Sequence, residues 1–324
     1  MFAGQIYAPG KIRLIDAPNP KLDARSANGP GEIIFQPELA CLCGSDLLFF
    51  EADYPEYPPV VGHSLHEMIG RVVDTNGSRF KPGERVLCVP VNQEGLFERY
   101  KVSEARAIPL DTRPPEDEAL LAQPLGTVIY ALKKLPSLID LDVAIVGQGP
   151  IGQMFTAAVR NLGARQIIAL DKLESRLATS PKLGATACID VSRENPVAAV
   201  EKLTGGAMAD VVIEAVGHRE QALSLCIDLS RRGGRILYFG VPEEKLDRVP
   251  WRELMLKNLT VHCSINPDFN RDFPLAMQWI AEKRIDLRPV ITHRYPLEKL
   301  QEAFELFHQR REGCLKVFVD FPKA

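Results

Sequence analysis

Val143-Ala144-Ile145-Val146-Gly147-Gln148-Gly149-Pro150-Ile151-Gly152 is the stretch that decides the fold. Its first four residues are apolar and three of them β-branched, which predicts a short buried strand. The next six read G-x-G-x-x-G, and Ile151 to Leu162 then have helical spacing. Glycine at 147, 149 and 152 lets a backbone turn tightly and approach a pyrophosphate, whose charge is received by free N–H groups at the helix N-terminus. Pro150 lacks an N–H but suits the first helical turn beside Ile151. Asp171, nineteen residues beyond Gly152 and at the end of the next predicted strand, is placed to accept hydrogen bonds from adenosine ribose hydroxyls. A carboxylate there repels a 2′-phosphate, so NAD(H) is expected over NADP(H), with Lys172 and Arg176 softening the preference.

Outward from this motif the chain alternates. Val143 to Val146, Gln166 to Leu170, Ala187 to Ile189, Val211 to Glu214, Ile236 to Phe239 and Thr260 to Cys263 read as strands, with helices at Ile151 to Leu162 and near Glu174 to Lys182 between them. Six such strands predict a doubly wound parallel sheet. Upstream, Glu32 to Phe35, Gly70 to Val73 and Arg85 to Val89 are short apolar runs punctuated by Gly and Pro, the pattern of a β-rich domain. A helix is expected over Glu116 to Leu135. Downstream, helical patterns at Phe273 to Arg284 and Leu297 to Gln309 precede a last strand, Lys316 to Phe321.

The length of 324 residues suggests two domains, and 46% hydrophobic with 25% charged side chains is ordinary globular composition. A net charge of −3 gives no general attraction to nucleic acid or anionic membranes, so the expected partner is a small molecule. No secretory leader or membrane span is legible. Seven scattered cysteines do not form a disulfide framework, which favours a reducing cytoplasm.

Cys43-Gly44-Ser45-Asp46 and His66-Glu67-Met68-Ile69-Gly70-Arg71-Val72 resemble the C-G-[ST]-D and H-E-x-x-G-x-V signatures of the zinc-containing medium-chain alcohol dehydrogenases. Gly10-Lys11-Ile12-Arg13-Leu14, Pro82-Gly83-Glu84-Arg85-Val86, Asp210-Val211-Val212-Ile213-Glu214 and Gly233-Gly234-Arg235 extend the likeness over nearly the whole chain. Within that family the likeness is to the sorbitol and threonine dehydrogenase branch. The resemblance implies an α/β protein with a GroES-like catalytic domain over 1–121 and 265–324, interrupted by a Rossmann domain over 122–264. It also implies hydride transfer between a secondary alcohol or polyol, or the matching ketone, and NAD(H). Edge-to-edge joining of the dinucleotide sheets, with Leu259 to Cys263 as the edge, implies a homodimer or homotetramer.

Cys43, His66 and Glu67 are the expected zinc ligands, a set of thiolate, imidazole and carboxylate that leaves one position open. In the family Asp46 orients the imidazole ligand and Ser45 takes the substrate hydroxyl proton. His63, in Gly62-His63, lacks the following Glu and is read as a loop residue or one that supports the site from behind. The family's Glu-Pro-Leu is here Gln123-Pro124-Leu125, so Gln123 offers a neutral oxygen as a fourth or outer ligand. A proton-relaying histidine is often found two residues after Asp46; Leu48 stands there. Cys88 is the only cysteine where relatives insert a four-cysteine lobe, so one catalytic zinc and no structural zinc are expected. Leu48, Phe49 and Tyr57 suggest a partly apolar substrate pocket, and the other six cysteines are read as ordinary thiols. The rival readings are a zinc-free reductase of the same superfamily and a silent dinucleotide-binding protein.

Overall fold

The computed structural model of the chain describes residues 1–24, 30–51, 57–217, 222–242 and 248–322. These form two compact units, one of Met1–Gln123, Phe269–Ala281 and Ile291–Ala324, the other of Pro124–Asp268 and Glu282–Val290.

The first unit is built on a seven-stranded sheet. Along its path lie, in order, Ile291–Pro296, Lys316–Asp320, Glu32–Cys41, Glu67–Thr75, Arg85–Cys88 and Ala107–Pro109, with Tyr100–Ser103 also paired to Glu32–Cys41. All pairings are antiparallel except Ile291–Pro296 with Lys316–Asp320. Glu32–Cys41 is flanked by Lys316–Asp320 and Glu67–Thr75, so residues almost 300 positions apart meet on three adjacent strands. The register sets Cys41 opposite both Glu67 and Phe318. The helix Leu300–Gln309 turns Leu300, Ala303, Phe304, Leu306 and Phe307 inward, spaced by three and four residues. Phe304 meets Phe50 with ring centroids 5.1 Å apart.

The second unit is a six-stranded parallel sheet in the order Ala187–Asp190, Gln166–Asp171, Asp142–Val146, Ala209–Glu214, Ser230–Tyr238, Thr260–Cys263. Strand order reverses between the first two mononucleotide halves, at Asp142–Val146, where a doubly wound sheet opens its ligand crevice. All five residues of that strand are buried, which explains the unbroken apolar run Val143 to Val146. The expected α/β class, a GroES-like sheet domain with a Rossmann sheet domain, is what the chain adopts.

Three helices differ from their expected extents. Glu116 to Leu135 divides into Glu116–Leu120 and Ala122–Leu132, because Pro124 has no N–H to continue the ladder. Glu174 to Lys182 divides into Glu174–Leu177 and a 3-10 turn, Ser180–Leu183, for the same reason at Pro181. The helix Asp272–Ala281 stops short of Arg284, with Lys283 in the left-handed region at φ 57°.

Candidate active site

Cys43 follows the strand Glu32–Cys41, and His66 precedes the neighbouring strand Glu67–Thr75, so sheet pairing alone brings the two segments together. The Cys43 sulfur, a His66 ring nitrogen and a Glu67 carboxylate oxygen all lie within 4.8 Å of one another. Among the described residues this is the only such grouping of three potential metal ligands. His63 does not join it. Its ring instead packs against Phe49, with centroids 3.6 Å apart and the planes tilted by 48°.

The donor set fits zinc: one thiol, one imidazole and one carboxylate, the ligand types of catalytic zinc sites with a position left open. Buried atoms without hydrogen-bond partners among the described residues support the fit. They include Ser45 Oγ, Tyr57 OH, His63 Nε2 and His66 Nδ1, and a buried polar atom without a partner is costly unless a ligand completes it. Gln123 is buried at the start of the helix Ala122–Leu132.

Charge in the site is unevenly distributed. Burial opposes the His66 imidazolium, but the hydrogen bond to Cys43 and the negative charges of Cys43, Asp46 and Glu67 outweigh it, lifting His66 to about 9. His63 moves the other way, chiefly through burial, against the opposing pull of Asp46 and Glu94. Beneath the ligands lies a fully buried lysine. Lys316 Nζ donates to Glu67 Oε2 and, at 3.1 Å, to the Leu42 carbonyl, and Cys41 Sγ donates to the same Glu67 oxygen at 2.8 Å. Burial works against the ammonium, yet its acidic neighbours Cys41, Glu67 and Cys43, with the hydrogen bond to Glu67, hold Lys316 well above the ordinary lysine range. Desolvation and the neighbouring Glu67 push the Cys41 thiol up.

Neither Lys316 nor Cys41 was expected at the site from the sequence. The available signal was a lysine inside the apolar run Leu315-Lys316-Val317-Phe318-Val319, where a charge is otherwise out of place. Asp46 is fully buried and accepts hydrogen bonds from Cys43 N at 2.7 Å, Ser64 Oγ at 2.7 Å and Leu65 N at 2.8 Å. Those bonds go to backbone and hydroxyl groups, while His66 Nδ1 has no partner.

In the second unit, Gly147 has φ 92°, in the region that favours glycine, and Gly149 caps the helix Pro150–Asn161 with Pro150 in its first turn. A Cβ on Gly152 would lie 1.8 Å from the Gly147 carbonyl oxygen, so the turn closes only around glycine. Asp171 Oδ2 accepts from Gln148 N at 2.7 Å and Oδ1 from Leu173 N at 2.9 Å, tying the end of the second strand to the glycine loop. Arg176 Nη1 lies 3.6 Å from Asp171 Oδ2 and the same distance from where a Gly149 Cβ would stand. Glu214 tightens the same edge of the sheet: Oε1 accepts from Val216 N and Gly217 N and Oε2 from Gly240 N, each at 2.9 Å.

Comparison with known proteins agrees with both halves. Residues 29–108 match the alcohol dehydrogenase GroES-like domain and residues 150–282 the zinc-binding dehydrogenase family. The L-threonine 3-dehydrogenase of Bacillus licheniformis is 30% identical over 93% of this chain and 92% of its own length. Human sorbitol dehydrogenase is 26% identical over 93% of this chain and 91% of its own. An alcohol dehydrogenase from Thermus sp. ATN1 superimposes with a TM-score of 0.87 at 25% identity, covering 99% of this chain and all of that one. Two signatures in register, a fold shared end to end and relatives of this identity have one explanation: the chain belongs to the zinc-containing medium-chain alcohol dehydrogenase family.

Proposed function

We propose that the chain is an NAD(H)-linked dehydrogenase of secondary alcohols or polyols that works with a single zinc held by Cys43, His66 and Glu67. NAD-linked hydride transfer between alcohol and ketone is the activity of the family. The observation that carries the metal assignment is the convergence of the three ligand atoms within 4.8 Å. Relatives named for threonine and sorbitol point to a substrate with a hydroxyl beside further polar groups.

When bound, zinc supplies a Lewis acid for the alcohol or ketone oxygen, and the nicotinamide supplies the hydride acceptor or donor. The remaining work belongs to the chain. Ser45 Oγ, buried and unpartnered, would accept the hydroxyl proton in oxidation as it passes its own proton to the cofactor ribose or solvent, and would relay a proton the opposite way in reduction. Leu48 carries no proton, so the proton leaves by a route other than that side chain. Gln123 adds no charge as fourth or outer ligand, which leaves Cys43 and Glu67 to balance the metal. Leu48, Phe49 and Tyr57 supply an apolar wall.

At the cofactor, Gly147, Gly149, Pro150, Ile151 and Gly152 form the pyrophosphate cradle and Asp171 receives the ribose. Arg176 beside Asp171 softens a preference for NAD(H) without reversing it, because the carboxylate still faces any 2′-phosphate.

The boundaries 1–121, 122–264 and 265–324 are the proposed domains. Thr260–Cys263 is the outer strand of its sheet, and Val261 with Ile265 beside it is exposed, which supports pairing of two copies into a homodimer or homotetramer. All seven cysteines are free and no described helix is long and apolar enough to cross a membrane; a cytoplasmic setting accords with the thiols.

The deciding experiment is elemental analysis of protein purified without chelator, for the parent and Cys43→Ala. One zinc per chain, lost in the variant, supports the mechanism. Absence of zinc, and failure to take it up, would replace it with a zinc-free reductase or a silent cofactor binder.

A further inference from the structure

Glu214 ends the strand Ala209–Glu214, the neighbour of Asp142–Val146, and is fully buried. Its carboxylate accepts from backbone N–H groups on two separate loops. Val216 and Gly217 lie just after its own strand, and Gly240 follows the next one, Ser230–Tyr238. The two loops touch: a Cβ on Gly217 would lie 2.8 Å from Gly240 Cα. The first loop also meets the glycine turn. Ala215 N donates to the Val146 carbonyl at 2.8 Å, and a Cβ on Gly147 would stand 2.8 Å from Val216 Cγ2. Because the three strands run parallel, their loops leave the sheet at one edge, where a doubly wound fold receives its ligand.

A carboxylate is costly to bury, and burial pushes the Glu214 carboxyl up although the three N–H bonds oppose it. A neutral amide of the same shape has one acceptor oxygen; its nitrogen would face the Gly240 N–H as a second donor. The charged group is therefore the one that can hold both loops by their backbones. We propose that Glu214 is a positioning residue for the cofactor, clamping the Val216 and Gly240 loops to each other and against the Gly147 turn so that all three present one fixed surface to the dinucleotide. The inference rests on Gly147 to Gly152 being the cofactor cradle.

The test compares the full chain with Glu214→Gln and with a control at the opposite end of the same strand, Asp210→Asn. There the carboxylate accepts from Asp142 N at 2.8 Å and Arg231 Nε at 2.6 Å, away from the three loops. NADH affinity is read from nicotinamide fluorescence, and folding from thermal melting without cofactor. Glu214→Gln is expected to weaken NADH at least about tenfold, on the order of one lost hydrogen bond to a charged group, while Asp210→Asn binds NADH as the parent does. Should Glu214→Gln not fold, Gly217→Ala replaces it. That change leaves the carboxylate in place, wedges the two loops apart and is expected to weaken NADH similarly. Parent-like NADH affinity in the folded loop variant, or an equal loss in Asp210→Asn, would overturn the inference and leave Glu214 with a role in folding alone. A parent that binds no NADH would instead overturn the cofactor cradle itself, and this inference with it.

Discussion

Lys316 and Glu67, on the two strands that flank Glu32–Cys41, form an ion pair with both side chains only 1% exposed. The pair lies directly behind the candidate metal ligands, and Glu67 gives one oxygen to Lys316 and Cys41, which leaves the other available to a metal. Lys316→Met strands a carboxylate in the interior. Breaking a buried pair in this way costs about 3–5 kcal/mol, so urea unfolding should show a loss of that order, with a smaller loss for Lys316→Arg. Added zinc should recover part of the Lys316→Met deficit, because a cation bound only by the folded state stabilises it. A Lys316→Met protein as stable as the parent would show that the pair contributes nothing net.

The glycine loop gives a second expectation. Gly152→Ala places a methyl group 1.8 Å from the Gly147 carbonyl, a contact that only movement of the loop relieves. NADH affinity, followed by nicotinamide fluorescence, should fall by at least about tenfold, on the order of one lost charged hydrogen bond. Zinc content should not change, since Cys43, His66 and Glu67 lie in the other compact unit.

Cofactor choice turns on Asp171. Asp171→Ser removes the ribose acceptor and its repulsion of a 2′-phosphate while Arg176 stays nearby. The NAD⁺ to NADP⁺ ratio of kcat/KM should shift towards NADP⁺ by roughly ten- to a hundredfold, the equivalent of one hydrogen bond to a charged group. An unchanged ratio would remove Asp171 from the cofactor site.

Thiol reactivity provides a count that depends on metal. Cys188 and Cys263 are exposed, whereas Cys41, Cys88, Cys226 and Cys314 are buried. Burial also pushes the Cys88 thiol up to about 12, despite the opposing Tyr100 hydrogen bond and Arg106 charge. At pH 8 the zinc-loaded protein should therefore react at Cys263 and, more slowly because desolvation pushes its thiol up, at Cys188 only, and Cys43 should join them after chelation. Equal labelling of Cys43 before and after chelation would count against its role as a ligand.

A pH effect is expected at Glu116. Burial alone would raise its carboxyl, but hydrogen bonds from Arg294 and Arg85 outweigh this and hold it below the ordinary range. A depressed carboxyl stabilises the fold above its unfolded value, about 4.3, and that contribution disappears as pH falls through the lower folded value. Melting temperature should thus decline below about pH 4.3 more steeply in the parent than in Glu116→Gln. Parallel profiles would mean that these half-buried pairs carry no stability.

Much of this was legible in the linear chain because it rests on local rules. Val143 to Gly152 announces its strand, turn and helix through β-branched residues, glycines and a tolerated proline, all within ten positions. Cys43, His66 and Glu67 carry their chemistry in residue type and short spacing. Helix ends were less legible where one proline, Pro124 or Pro181, broke a periodic pattern that otherwise continued.

What the sequence could not show depends on contacts distant along the chain. Cys41 reads as an ordinary thiol until strand register sets it opposite Glu67. Lys316 stands 249 positions from Glu67, and no local pattern predicts that a central strand will place them on the same buried carboxylate. Asp46 reads as support for an imidazole, and only the fold shows its oxygens accepting from Cys43 N, Ser64 Oγ and Leu65 N. Sequence determines which groups are present and which local turns they favour. Only the tertiary structure decides which buried polar groups must satisfy one another, because that follows from a global sheet register and from the cost of leaving any of them unpaired.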